Sequence, residues 1–304
     1  MSDARPLRLP GAQSGEPKYE LYARPNRLLT AIRTLRANPL GAVGASIVLL
    51  MLLVAVFAPL LARYGINAYA GVPGQGPSAH NWFGTDRFGQ DIYSRVIYGA
   101  RVSFQVGVLS VLIGVLTGLV VGSTSGYFGG WIDTVIQRFV DAAIAFPQLI
   151  LLLIIVRTLG PSMRNVIIVI AIGIIPSTTR VIRGAALAQK NQLYVEAARS
   201  SGASDVRIIF RHVIPNVVPV AIVIATTLLG AAILAESALS FLGLGIPPPN
   251  PSWGVDISTS RSSFPINVWA ALFPGIAISL TVLGFNFFGD TLRDVLDPRL
   301  RGGR

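Results

Sequence analysis

Long runs without a charged residue alternate with short charged stretches along the whole chain. Nothing between Arg36 and Arg63 is charged, and residues 40–61 are apolar enough to cross a bilayer. A second run lies between Arg101 and Asp133, with its span at about 102–124. The third span covers about 136–159 and the fourth 165–179. The fifth run lies between Arg211 and Glu236, and the sixth between Arg261 and Asp290. A charge at the bilayer centre costs about 2.5–3.5 kcal/mol, so charge-free runs of this length locate membrane spans. The pattern predicts six transmembrane helices in an all-α integral membrane fold. The fourth, at 15 residues, needs a thinned or tilted passage, or flanking arginines that snorkel. In the third, Arg138 and Asp141 lie three apart on one helical face, placed to pair or to reach water.

Between the spans the pattern changes character. Residues 1–20 are Pro-, Gly- and Ser-containing and read as disordered. Leu28, Ile32 and Leu35 then form an apolar stripe among Arg24, Arg27, Arg33 and Arg36, which suits a short helix on the inner leaflet or a plain solvated helix. The first span has an apolar core of about 22 residues with 39 residues before it. That is longer than the ~7–15 of a signal-peptide core, so it reads as an anchor. In the outer segment, Gly71, Pro73, Gly74, Gly76 and Pro77 make a looped start, and a helix is expected over 91–105 with Asp91 at its positive end. After the fifth span, residues 237–245 are apolar but too short to cross again, and Pro247, Pro248 and Pro249 end them. They read either as a re-entrant piece of an outer gate or as a surface-lying helix.

Composition agrees with lipid as the main solvent: 52% of residues are hydrophobic and 13% charged, against about 25% charged in a soluble domain. The net charge of +11 comes mainly from arginine. With the N-terminus inside, 18 Arg and Lys fall on inner segments and 7 on outer ones. This bias predicts both termini in the cytoplasm, and it explains the basicity by topology and membrane lipid rather than nucleic acid. There is no Cys, hence no disulfide and no thiol chemistry.

The inner segment 180–214 has 35 residues where a turn needs only a few. Leu193, Tyr194, Ala197 and Ala198 share a face of one short helix, and Gly202 interrupts it. Ser204 can cap a second helix, with Asp205 in its first turn and Pro215 as its boundary. Small side chains at Ala197 and Ala198 permit close approach by a partner's backbone, and Glu196 offers a carboxylate to a basic group. The pattern suits docking rather than chemistry.

Glu196-Ala197-Ala198, then Gly202 and Pro215, resembles the EAA loop of ABC importer permeases. Further stretches resemble the C-type permease of the dipeptide, oligopeptide and nickel branch. These are Trp82-Phe83-Gly84-Thr85-Asp86, Tyr98-Gly99-Ala100-Arg101, Gly126-Tyr127-Phe128-Gly129-Gly130, Ala145-Phe146-Pro147, Ser240 to Gly245, and Leu296-Asp297-Pro298-Arg299-Leu300. Gln90 stands where that branch has Arg. The resemblance covers about residues 25–301. It implies a type I ABC importer permease fold whose loop forms a coupling helix that inserts into the ATPase subunit. It implies as partners a second, B-type permease subunit, two ATP-binding subunits and an extracytoplasmic substrate-binding protein. ATP and Mg are then bound by those ATPases, and no cofactor by this chain. It implies import of short peptides, or of nickel chelates or glutathione, across a bacterial inner membrane.

Neither lysine, Lys18 or Lys190, follows Gly, so no P-loop is present and this chain is not the ATPase. His80 and His212 fall on opposite sides of the predicted membrane, which denies them a common metal site. An intramembrane enzyme needs ionisable groups at span centres, and a secondary transporter needs coupling-ion charges and repeated halves; the sequence offers neither. Glu236 ends the fifth charge-free run. Two readings stand for it: a group in an outer gate or substrate path with Ser240, Phe241 and Leu242, or a solvated carboxylate at a helix end, which is favoured. The expected organisation is a cytoplasmic tail over 1–38, a first span over 39–62, an outer segment over 63–101, a five-span core over 102–289 with the EAA loop at about 180–214, and a cytoplasmic tail over 290–304.

Overall fold

The computed structural model describes residues 38–247, 249–262 and 267–296. The amphipathic stripe at 28–35, the tail before it and the stretch 297–304 lie outside the described residues. Among the described residues five continuous helices are long and apolar enough to cross a membrane, and a sharply bent pair makes a sixth. They are α1 (Pro39–Val56), with a separate turn α2 (Ala58–Leu61), then α3 (Ile92–Phe128), α4 (Gly130–Ala145), α5 (Gln148–Leu159) and α6 (Met163–Lys190). The elbow follows as α7 (Leu193–Ser200) and α8 (Asp205–Ile208), which runs through a π turn (Ile209–Val213) into α9 (Ile214–Phe241). The chain ends in α10 (Trp253–Ser260) and α11 (Trp269–Leu296).

The spine is the pair α3 and α6. Gly114, Gly118, Gly122 and Gly126 recur every four residues along one face of α3. A Cβ on these glycines would come within 2.6–2.7 Å of Ile174, Thr178, Thr179 and Arg183 of α6. Without a hydrophobic driving force between helices in lipid, close backbone approach through small residues supplies the packing. The core fills around it with Leu152, Val156, Val166, Ile170, Ile182, Val213, Val217 and Leu239. On the other flank α1 lies against α11 through Gly41 on Thr291 and Gly44 on Phe287. Its remaining face, including Leu40, Leu49, Leu50 and Leu53, is exposed, as a lipid-facing helix should be.

Several expectations change in the structure. The third span is not one helix: α4 and α5 bend by 93° at Phe146-Pro147, where proline removes a helix donor and its ring crowds the preceding turn. The fourth span is not short, because α6 has 28 residues. Its arginines end the charge-free window without ending the helix. Asp141 pairs with Arg180 of α6 across the helix interface, not with Arg138 along its own helix. The helix expected over 91–105 is fused with span two into the 37-residue α3, whose N-cap Asp91 accepts from Ser94 N at 2.9 Å. Pro215 does not bound a helix. It lies at the start of α9 directly after the π turn, whose wider loop makes room for the proline.

Candidate functional site

Three assemblies carry the geometry: an elbow at one end, a lid at the other, and a cavity between. The elbow is smaller than the predicted 180–214, since α6 continues to Lys190 and helix resumes at Asp205. Val195 is fully buried and anchors α7 to the body. Around it Leu193 is 82% exposed, and Glu196 and Ala197 are exposed too. Ala198 packs half-buried against the core, beneath these exposed residues. Gly202 has φ +78° and reverses the chain, a conformation that a Cβ disfavours. Ser204 stands at the N-cap of α8 but makes no side-chain cap hydrogen bond there.

Tyr127 ties the elbow to the α3 half of the spine. Buried Tyr127, on the last turn of α3, donates to Asp205 Oδ1 at 2.6 Å and accepts from Arg199 Nη2 at 3.2 Å. The Arg199 guanidinium also lies 5.7 Å from the Tyr127 ring centroid. Tyr194 donates to Gln189 Oε1 at 2.5 Å, and burial raises its phenol above the ordinary value. Just above the elbow, Arg183 of α6 pairs with Asp133 of α4, which also accepts from Ser125 Oγ at 2.5 Å.

At the opposite end, Glu236 is fully buried, so the favoured reading of a solvated carboxylate is corrected. Its Oε1 accepts from Ser240 Oγ at 2.8 Å and its Oε2 from Ser103 Oγ at 3.2 Å, and Ser237 lies within 3.5 Å. Hydroxyls from α3 and α9 thus replace water around one carboxyl. Ser240 is buried with Glu236, while Phe241 and Leu242 remain exposed. Residues 237–241 are the last turns of α9 rather than a separate piece, and Gly243 turns the chain at φ +80°.

The lid itself is α10, which the sequence did not single out. Fully buried Trp253 packs on Gly99 and donates through Nε1 to Val96 O at 2.9 Å. Arg95 of α3 grips Asp256 Oδ1 through Nε at 2.9 Å and through Nη2, and gives Nη1 to Gln90 Oε1 at 2.6 Å. Burial pushes the Asp256 carboxyl up, against the pull of Arg95. The segment before α3 meets this pair through Asp86, 3.9 Å from Arg95 Nε, and is pinned nearby where Asn267 donates to Thr85 O at 2.7 Å and Phe83 stacks on Phe273 at 3.8 Å. The signals available in the sequence are Ser252 as an N-cap before Trp253, a lone Asp256, and Ser94-Arg95, which belongs to the stretch that resembles the C-type permease.

Between elbow and lid, α5, α6 and α9 enclose a half-open cavity of about 260 Å³. Its lining is apolar, with Leu149, Ile174, Ala231 and Ala235 among it, except for Gln148 and Ser177.

Residues 114–302 match the family model described as the binding-protein-dependent transport system inner membrane component. Residues 27–78 match the N-terminal TM domain of oligopeptide transport permease C. The chain is 43% identical to the dipeptide transport system permease protein DppC of Alkalihalophilus pseudofirmus, over 98% of each chain. It is 42% identical to the glutathione transport system permease protein GsiD of Escherichia coli O157:H7, over 89% of this chain and 90% of that one. Its fold is shared with a chain of the inward-facing MetNI methionine ABC transporter, with a TM-score of 0.55 at 18% identity, covering 67% of this chain and 96% of the other.

Proposed function

The chain belongs to the inner membrane components of binding-protein-dependent transport systems, in the C-type permease branch, and we propose that it forms half of an ATP-driven import path for short peptides. As a multi-pass permease of an ABC transporter it works with subunits that bind ATP and substrate. In this reading the partners are a B-type permease, two ATPases that hold ATP and Mg, and an extracytoplasmic binding protein. Both termini and the elbow are cytoplasmic, in keeping with the arginine bias. The chain itself catalyses nothing.

The observation that carries the reading is the elbow: Leu193, Glu196 and Ala197 exposed on a short helix whose base is pinned by Val195 and Tyr127. A protrusion that is apolar, small and carboxylate-bearing, yet rigidly footed, suits insertion into another subunit. A ligand shifts a conformational equilibrium only by its differential affinity for the two states. ATP therefore acts on this chain by changing what the ATPases offer to residues 193–205. Glu196 and Ala197 make the contact, while Gly202 and Asp205 fix its angle, with Ala198 beneath and Pro215 in the shaft just past the π turn. Glu236 and Ser240 hold the outer end shut beside Phe241 and Leu242.

Glutathione is the second reading, favoured by the 42% identity to GsiD. The test is uptake by the reconstituted complex with its binding protein. Labelled dipeptide enters only with ATP, glutathione competes if the second reading holds, and Gly202→Leu abolishes uptake with membrane insertion intact. Full uptake by Gly202→Leu, or uptake without ATPases, overturns the proposal.

A further inference from the structure

The 93° break at Phe146-Pro147 puts Gln148 at the inner tip of α5, facing the cavity. The 12 residues of α5 place Gln148 about 18 Å from the surface turn at Gly160. Ser177 lies 14 residues along α6 from the same turn, at about 21 Å. Against a hydrocarbon core of about 30 Å, both stand near mid-bilayer. Ser177 satisfies itself by donating to Ile174 O at 3.0 Å. Gln148 does not: it is exposed, and among the described residues its amide has no hydrogen-bond partner. Its Nε2 rests where a Cβ on Gly173 would lie 3.2 Å away, so that glycine leaves room for the amide.

An unpaired amide facing hydrocarbon costs several kcal/mol, and lipid offers it nothing in return. The cavity wall at Gln148 is therefore wet or filled by something polar. The rest of the lining carries no charge, which leaves no selective grip on any one side chain. A primary amide, by contrast, both donates and accepts, which matches the one group common to all peptides. At about 260 Å³, a partner subunit with a comparable wall brings the chamber into the ~300–1,000 Å³ range of small-ligand sites.

We propose that Gln148 is a substrate-contact residue at mid-membrane, reading the backbone amide of a peptide in transit, with Ser177 beside it. This rests on the import function proposed above, but its first test does not. Because the chain has no native Cys, single cysteines report cleanly on this subunit. In the complete transporter, Gln148→Cys is exposed to a charged, membrane-impermeant methanethiosulfonate in right-side-out and inside-out vesicles, with and without ATP. The control is Ile154→Cys, which is 57% exposed on the same helix but outside the cavity. The expected result is at least tenfold faster modification at position 148 than at 154, from a side that changes with nucleotide, and slowed by dialanine. Equal rates, or modification only by a lipid-soluble maleimide, overturn the wet path and assign the cavity to an acyl chain. No modification under any condition also overturns it and assigns the wall to packing against the second permease.

Uptake then tests the contact. Gln148→Leu lowers dialanine uptake about tenfold without changing dialanine affinity at the binding protein, and Gln148→Asn restores part of it. Unchanged uptake by Gln148→Leu overturns the contact role. A wild-type complex that imports no dialanine overturns the peptide assignment, while the labelling result still decides whether the path is aqueous.

Discussion

Tyr127 Oη sits 2.6 Å from Asp205 Oδ1, joining the last turn of α3 to the first turn of α8. The two residues are 78 apart in sequence, and their bond spans the gap between spine and elbow. A hydrogen bond to a charged partner contributes about 1.5–3 kcal/mol net. Tyr127→Phe keeps the ring and removes that bond, so the elbow loosens while the fold holds. The expected outcome is a fall in peptide imported per ATP hydrolysed, with basal ATPase activity of the complex unchanged. Measuring both rates on one proteoliposome preparation checks it, and an unchanged ratio rejects the role.

The glycine face of α3 makes a different prediction. At Gly118 a Cβ would come within 2.7 Å of Thr178 on α6. Overpacking of this kind costs about 1–3 kcal/mol. Gly118→Leu should lower the melting temperature of the detergent-purified complex and the yield of assembled subunit, while Leu112→Ala on the exposed face of the same helix should not.

The lid hangs on Arg95 and Asp256. Removing Asp256 leaves the buried Arg95 with only the looser Asp86, 3.9 Å away, against a cost of about 3–5 kcal/mol for breaking a buried ion pair. Asp256→Ala should therefore destabilise more than the double variant Arg95→Met with Asp256→Ala. A thermal-melting cycle over the two sites reads the difference. Additive losses would show that the pair does not hold α10 in place.

Asp133 and Arg183 link α4 to the stem above the elbow as a hydrogen-bonded ion pair. Arg183→Asp alone should impair coupled transport, and the exchange Asp133→Arg with Arg183→Asp should recover part of it. Recovery no better than either single variant would assign the pair to surface charge, which contributes about 0–1 kcal/mol.

The spans were legible because charge is costly in lipid, and that single rule located each apolar crossing. The same rule misplaced ends wherever a charge found a partner. Arg180 and Arg183 truncated the fourth span on paper, yet both sit inside α6 paired with Asp141 and Asp133. Pro215 looked like a boundary because a proline breaks an α-helix, but a π turn absorbs it. Glu196 and Gly202 could be found through the helix–glycine–helix pattern, which is local. Glu236, Arg95, Asp256 and Gln148 could not be understood that way, since what defines each is a neighbour more than fifty residues distant or a cavity that only packing creates.

The 37 residues from Asp205 to Phe241 form one uninterrupted shaft, about 55 Å long. Asp205 sits at one end, and Glu236 with its serine cage near the other. A rod of that length rocking by about 5° shifts one tip by about 5 Å against the other, roughly one helical turn. That distance exceeds the reach of the Ser103 hydroxyl, which sits on α3, whereas Ser240 rides on the same helix as Glu236. Tilting of this single beam about its Asp205 end would therefore part Glu236 from Ser103 without any residue between them changing its fold, and the compliant place on the beam is the wider-wound turn at Ile209–Val213.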